Sequence, residues 1–164
     1  MSSVYLGLGS NLGDRQGNLT RALELISKFA TVVRTSSIYE TEPVGFLAQP
    51  KFLNAVCEID TSIPPVQLLV LLKGIEAALG RTISFRDAPR TMDIDMLLYD
   101  DIELTTRELV IPHPRLQERA FVLAPLAELN PTLVHPTMKK TAARLLEEVA
   151  GKEGVRLWTT TGGN

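Results

Sequence analysis

Two apolar stripes of helical period, each set between runs of alternating residues, limit the folds open to this chain more than any other feature. Leu19, Ala22, Leu23, Ile26 and Phe29 recur at steps of three and four, which predicts a helix with one buried face. Leu68, Leu69, Leu72, Ile75 and Leu79 repeat the pattern between Pro64-Pro65 and Gly80, a proline-led start and a glycine stop. Before the first stripe, Val4, Leu6 and Leu8 alternate with Tyr5, Gly7 and Gly9, a strand running into the glycine-rich turn at 9–13, with Asp14 as helix cap. Residues 32–39 read as a second strand and 52–60 as a third, with Leu53, Ala55, Cys57 and Ile59 on one face and Phe52, Asn54 and Val56 on the other. Residues 91–99 make a fourth. Strand-helix-strand followed by strand-helix-strand is the order of the split βαβ arrangement. The expected fold is therefore α+β, ferredoxin-like: an antiparallel sheet covered by helices in three α-β-α layers. A short strand ending near Val110-Ile111, helices at 119–129 and 141–150 and a last strand at 155–158 follow. The added C-terminal helices are expected to cover the rest of the sheet. Residues 40–51 and 81–90 lack a period and read as long functional loops, the second of them mobile, and both natural lids.

A length of 164 residues suits one domain, taken as 1–164. No apolar run is long enough to cross a bilayer and no leader precedes the first strand, so the expectation is a cytoplasmic protein without a membrane partner. The lone Cys57 can form no internal disulfide, and its apolar neighbours make it a buried spectator. A net charge of −2 argues against a nucleic-acid partner. Arginine is nevertheless concentrated, with Arg81, Arg86, Arg90, Arg107, Arg115 and Arg119 in one stretch that also holds Asp93 and Asp95. That mixture suits a metal-bound polyanion.

Residues two apart on a strand share a face, so Asp93 and Asp95 stand side by side, with Met92, Ile94 and Met96 turned away and Leu97 and Tyr99 continuing the carboxylate face. Neighbouring carboxylates repel unless a cation joins them, and magnesium favours such partial oxygen ligation with water and phosphate completing its shell. An isolated Asp-x-Asp more often lines a solvated edge. Here Arg90 and Arg81 flank it, and guanidinium groups beside a metal can neutralise phosphate oxygens as a leaving group departs.

The run Ala88-Pro89-Arg90-Thr91-Met92-Asp93-Ile94-Asp95-Met96-Leu97 closely resembles the signature of the 6-hydroxymethyl-7,8-dihydropterin pyrophosphokinases of folate biosynthesis. The segments Gly9-Ser10-Asn11-Leu12-Gly13, Tyr39-Glu40-Thr41, Gln49-Pro50 with Phe52-Leu53-Asn54, Ile75-Glu76 with Gly80-Arg81, and Pro112-His113 with Arg119-Ala120-Phe121 are similar to that family in the same order. The resemblance implies transfer of pyrophosphate from ATP to a pterin alcohol, with attack at the β-phosphorus and AMP released. It implies Asp93 and Asp95 as ligands of two magnesium ions and Arg81 and Arg90 as catalytic residues. Leu69, Lys73, Glu76, Arg90, Met96, Val110, His113 and Arg119 would contact ATP. Gly9, Thr41, Val44, Phe52, Asn54, Asp93 and Phe121 would form the pterin site, and the protein would act as a monomer. An asparagine between Phe52 and Val56 on one strand face has independent reason to exist if it reads a planar heterocycle.

Many members carry a second arginine two positions after the one matching Arg81 and a tryptophan before the Gly-Pro-Arg, where this chain has Ile83 and Asp87. Arg86 and Phe85 are the candidates to replace them. Two other classes are weaker matches. Residues 7–13 are spaced almost like a dinucleotide fingerprint, but the third glycine comes one residue late and no acidic residue ends the next strand. No Gly-x-x-x-x-Gly-Lys-Ser/Thr occurs, which excludes phosphate-loop kinases. A non-catalytic magnesium-nucleotide sensor on the same fold is the remaining alternative.

Overall fold

In the computed structural model, residues 1–42, 49–80 and 91–158 are described. Strand β1 (Ser2–Ser10) leads through the glycine turn into α1 (Arg15–Ile26), and Asp14 caps it by accepting from the Gly17 N–H at 3.1 Å. Then come β2 (Thr31–Thr35), β3 (Tyr39–Thr41), β4 (Phe52–Thr61), α2 (Pro65–Ala78) and β5 (Asp93–Tyr99). The hairpin of β6 (Leu104–Thr105) and β7 (Val110–Ile111), the helices α3 (Ala120–Leu129) and α4 (Ala142–Glu148) and the strand β8 (Val155–Leu157) complete the order.

Among the described residues the main sheet runs β5-β1-β4-β3-β8, with β2 also on β4 and every pairing antiparallel. With β2 and β3 counted as one position, this is the ferredoxin-like order that the alternation of periods predicts. The first face, from Val4, Leu6, Leu8, Leu53, Cys57, Ile59, Ile94 and Met96, packs on the apolar stripes of α1 and α2. Tyr5, Val56, Leu97 and Leu98 form a second apolar cluster with α3 and α4, so the sheet has helices on both sides. No described helix is long and apolar enough to cross a membrane. Cys57 is fully buried in the first cluster, and burial pushes its thiol up to about 12. A thiol reagent is expected to leave native protein unlabelled and to label one group per chain after denaturation.

Two elements depart from the sequence reading. The continuous strand expected at 32–39 is broken after Thr35. Thr35 pairs with Cys57 and Tyr39 with Asn54, which leaves one extra residue on the β2–β3 side. Ser36 accommodates it, donating its N–H to the Val56 carbonyl at 2.8 Å and accepting from the Val56 N–H through Oγ at 2.9 Å. A second irregularity lies between β1 and β5, where Tyr5 opposes Leu98 and Leu6 opposes Met96. Leu97 is the extra residue. Both Leu97 and Leu98 join the second cluster, and Tyr99 turns to the first, its hydroxyl donating to the Ile63 carbonyl at 2.7 Å. The carboxylate face thus ends at Leu97 and does not extend to Tyr99.

Candidate functional site

The alternation of β1 puts two glycines on the second face, and what lies beside them follows from register. Gly9 opposes Asn54 on β4 and Asp93 on β5, and Gly7 opposes Val56 and Asp95. One row across the sheet therefore reads Asp93, Gly9, Asn54, Tyr39, and the next reads Asp95, Gly7, Val56. Leu97 lies over Gly7, where an added Cβ would meet its methyl at 3.5 Å. That contact marks the border between apolar cluster and polar sheet end.

Asn54 is buried and donates Nδ2 to Thr41 Oγ1 at 2.7 Å, which turns its Oδ1 over Gly9. A Cβ at Gly9 would stand 2.8 Å from that oxygen and 3.6 Å from the Phe52 ring. The bare backbone of Gly9 is thus the floor beside an amide acceptor and an aromatic edge, a shape that suits a flat, donor-bearing heterocycle.

On the other side, Asp95 lies 3.6 Å from the Arg119 guanidinium, which also sits over the Phe121 ring at 5.6 Å. Withdrawal from water, and next the neighbouring charge of Asp93, push the Asp95 carboxyl up to about 6, against the pull of Arg119. No group of three or more His, Cys, Asp or Glu residues that could hold a metal occurs among the described residues. Two carboxylates on one face fit an ion that keeps water and phosphate oxygens in most of its positions, as magnesium does. Burial, followed by the Arg119 charge, lowers His113 to about 4, so its imidazole is neutral at physiological pH. Nδ1 accepts from the Arg115 N–H at 3.2 Å, which makes Nε2 the donor nitrogen, and the His113 N–H bonds the Leu97 carbonyl of β5 at 2.9 Å.

The remaining expected nucleotide residues are spread along this edge. Glu76 is buried in α2, and its Oε2 accepts from the Ile94 N–H at 2.7 Å, fixing the backbone between the two aspartates. Lys73 stands 3.5 Å from Glu76 and is mostly exposed. Leu69 is partly buried against the first cluster, and Val110 pairs with Thr105. The Met96 side chain lies in the first cluster, across the sheet from the aspartates, which leaves its backbone as the part on this edge. Arg81, Arg90 and Val44, with Ile83, Phe85, Arg86 and Asp87, lie outside the described residues.

Three supporting residues carry no individual role in the sequence reading. Asn11 is buried and donates Nδ2 to Gln49 Oε1 at 2.6 Å and to the Pro50 carbonyl at 3.0 Å. Asn18 reaches Ser10 Oγ and the Leu12 and Thr91 carbonyls at 3.1, 2.9 and 3.1 Å. Arg15 spans from α1 to Glu40 Oε2 and the Lys51 carbonyl, each at 2.9 Å. The two asparagines could have been suspected from their place in or after a glycine turn that needs stitching, whereas nothing local announces that Arg15 meets Glu40.

The family described as 7,8-dihydro-6-hydroxymethylpterin-pyrophosphokinase (HPPK) matches residues 5–131. The 2-amino-4-hydroxy-6-hydroxymethyldihydropteridine pyrophosphokinase of Bacillus subtilis is 44% identical over 162 residues, covering 98% of this chain and 92% of its own length. That of Aquifex aeolicus is 42% identical over 140 residues, 85% of this chain and 88% of its own. A crystal structure of Plasmodium falciparum HPPK-DHPS superposes with a TM-score of 0.74 at 18% identity, over 90% of this chain and 45% of that one, and so bears on fold alone. A sheet end that sets a carboxylate pair beside a buried amide, with a family match across most of the chain, leads to one assignment: the chain belongs to the 7,8-dihydro-6-hydroxymethylpterin-pyrophosphokinase family.

Proposed function

We propose that the polar end of the second sheet face brings together both substrates of the family's reaction, the magnesium-dependent transfer of pyrophosphate from ATP to 6-hydroxymethyl-7,8-dihydropterin. One observation carries this reading: Asp93 and Asn54 flank Gly9 in a single row. Two strand spacings separate them, about 10 Å, a distance suited to a heterocycle at one end and a triphosphate at the other. On this reading Asn54 Oδ1 accepts from the pterin's N–H donors, Thr41 holds the amide in that sense, and Phe52 and Phe121 stack on the ring, with Gly9, Val44 and Asp93 completing the pocket.

Asp93 and Asp95 would hold two magnesium ions, which when bound neutralise phosphate charge and orient the triphosphate. Leu69, Lys73, Glu76, the Met96 backbone, Val110, His113 and Arg119 line the nucleotide side, with neutral His113 offering Nε2–H as a donor. The substrate oxygen bonds to the β-phosphorus, the bond to the α,β-bridging oxygen breaks and AMP leaves. Little covalent work falls to the protein, so positioning and charge carry catalysis, with Arg81 and Arg90 meeting the transferred group. An Arg90→Lys variant should lose about 10²-fold in kcat, because an ammonium cannot reproduce the planar fork. Steady-state kinetics at saturating ATP check this.

The same reading takes residues 1–164 as one domain acting as a cytoplasmic monomer, without nucleic-acid or membrane partners. The test is incubation with ATP, magnesium and 6-hydroxymethyl-7,8-dihydropterin, scored for AMP against ADP. Stoichiometric AMP and pterin diphosphate are expected. Binding of magnesium-ATP with no AMP would instead identify a sensor.

A further inference from the structure

We infer that Arg15, at the first position of α1, is a positioning residue for pterin, acting by cinching the ends of β3 and β4 together. The inference rests on the pocket reading above. Arg15 Nη1 donates to Glu40 Oε2 and to the Lys51 carbonyl, each at 2.9 Å, with the two side chains 25% and 30% exposed. Glu40 is the middle residue of the three-residue strand β3, and Lys51 immediately precedes β4. One guanidinium therefore ties together the two segments that enter and leave the connection between these strands.

What the tie protects is the terminal pair of the ladder, Thr41 opposite Phe52. β3 is laddered to β4 on one edge and to β8 on the other, yet at three residues it has few bonds on either edge with which to hold its last pair against fraying. Both members of that pair belong to the proposed pocket, and Thr41 orients Asn54 at 2.7 Å. Glu40 alternates with Thr41 along β3, so its side chain leaves the sheet on the face opposite the pocket. Arg15 thus acts from behind, fixing the backbone that carries the pterin contacts without touching the pterin.

Replacing Arg15 should loosen the pterin end and spare the nucleotide end, whose residues lie on β5, α2 and the segment from Val110 to Arg119. The experiment compares wild type, Arg15→Met, Arg15→Lys and Asn54→Ala, measuring KM for the pterin, kcat, the Kd of a non-hydrolysable magnesium-ATP analogue and Tm. Arg15→Met is expected to raise the pterin KM about tenfold while kcat and analogue Kd stay within about twofold. Arg15→Lys should recover part of the loss, since an ammonium can still reach one of the two acceptors. A Glu40→Gln change added to Arg15→Met should cost less than the sum of the two singles. An unchanged pterin KM in Arg15→Met, or an analogue Kd that weakens in parallel with it, overturns the inference. Where Asn54→Ala raises the pterin KM and Arg15→Met does not, the clamp falls alone; where Asn54→Ala has no effect, the pocket reading falls and takes the clamp with it.

Discussion

An Asp95→Asn variant is expected to fold, to melt a few degrees higher than wild type at pH 8 and to release AMP at least about 10³-fold more slowly. The two halves of this result have one cause. In the absence of nucleotide, withdrawal from water and the charge of Asp93 raise the Asp95 carboxyl to about 6. A folded-state value above the unfolded one means that ionisation opposes folding. The favourable contribution of the neutral acid is complete below the unfolded value and is lost as pH rises through about 6. Asparagine cannot ionise, so it removes that cost above pH 6 and gains nothing below about pH 4. Thermal melts at pH 8 and pH 4 therefore separate this explanation from a general packing gain, which would persist at both. Turnover falls because an amide oxygen replaces a charged oxygen where the triphosphate's cations are proposed to bind. The site holds charge that the unliganded fold does not favour, a trade expected where stability and activity compete.

Gly9→Ala should lower kcat/KM for the pterin by about 10²-fold with little change in Tm, because the clash falls on one functional side chain. The new Cβ would stand 2.8 Å from Asn54 Oδ1, closer than real Cβ contacts allow. The neighbouring Phe52 contact, at 3.6 Å, is ordinary. Asn54 must therefore rotate or withdraw, and either motion breaks its 2.7 Å bond to buried Thr41. The lost hydrogen bond costs on the order of 1 kcal/mol of stability, while the amide loses its register with the bound ring. Pterin KM and kcat measured beside a thermal melt decide the point. A melting temperature that falls by 10 °C or more with normal pterin affinity would relocate the role of Gly9 from recognition to folding.

The sequence made legible what depends on period and on single-strand geometry. Alternation in β1 and β4 assigned Leu6, Leu53 and Cys57 to one face and Asn54 to the other, and the structure follows both. The shared face of Asp93 and Asp95 likewise needed only a strand. What escaped depends on counting across partners. The extra residue at Leu97 that turns Tyr99 away is defined by its register with Tyr5 and Leu6, and no pattern within 91–99 announces it. The break at Ser36 depends in the same way on Val56. Arg15 and Glu40 are 25 residues apart in the chain and meet only after α1 and β3 are packed. The row that joins Asp93 to Asn54 through Gly9 is a property of the whole sheet, although each member could be singled out alone.

The family match ends at residue 131, yet β8, at Val155–Leu157, pairs with β3 from Tyr39 to Thr41. A shortened version stopping where the match stops would strip the outer partner from the strand that bears Thr41. Its bare amides and carbonyls would then be open to another molecule's backbone, inviting self-association at the rim of the pterin end.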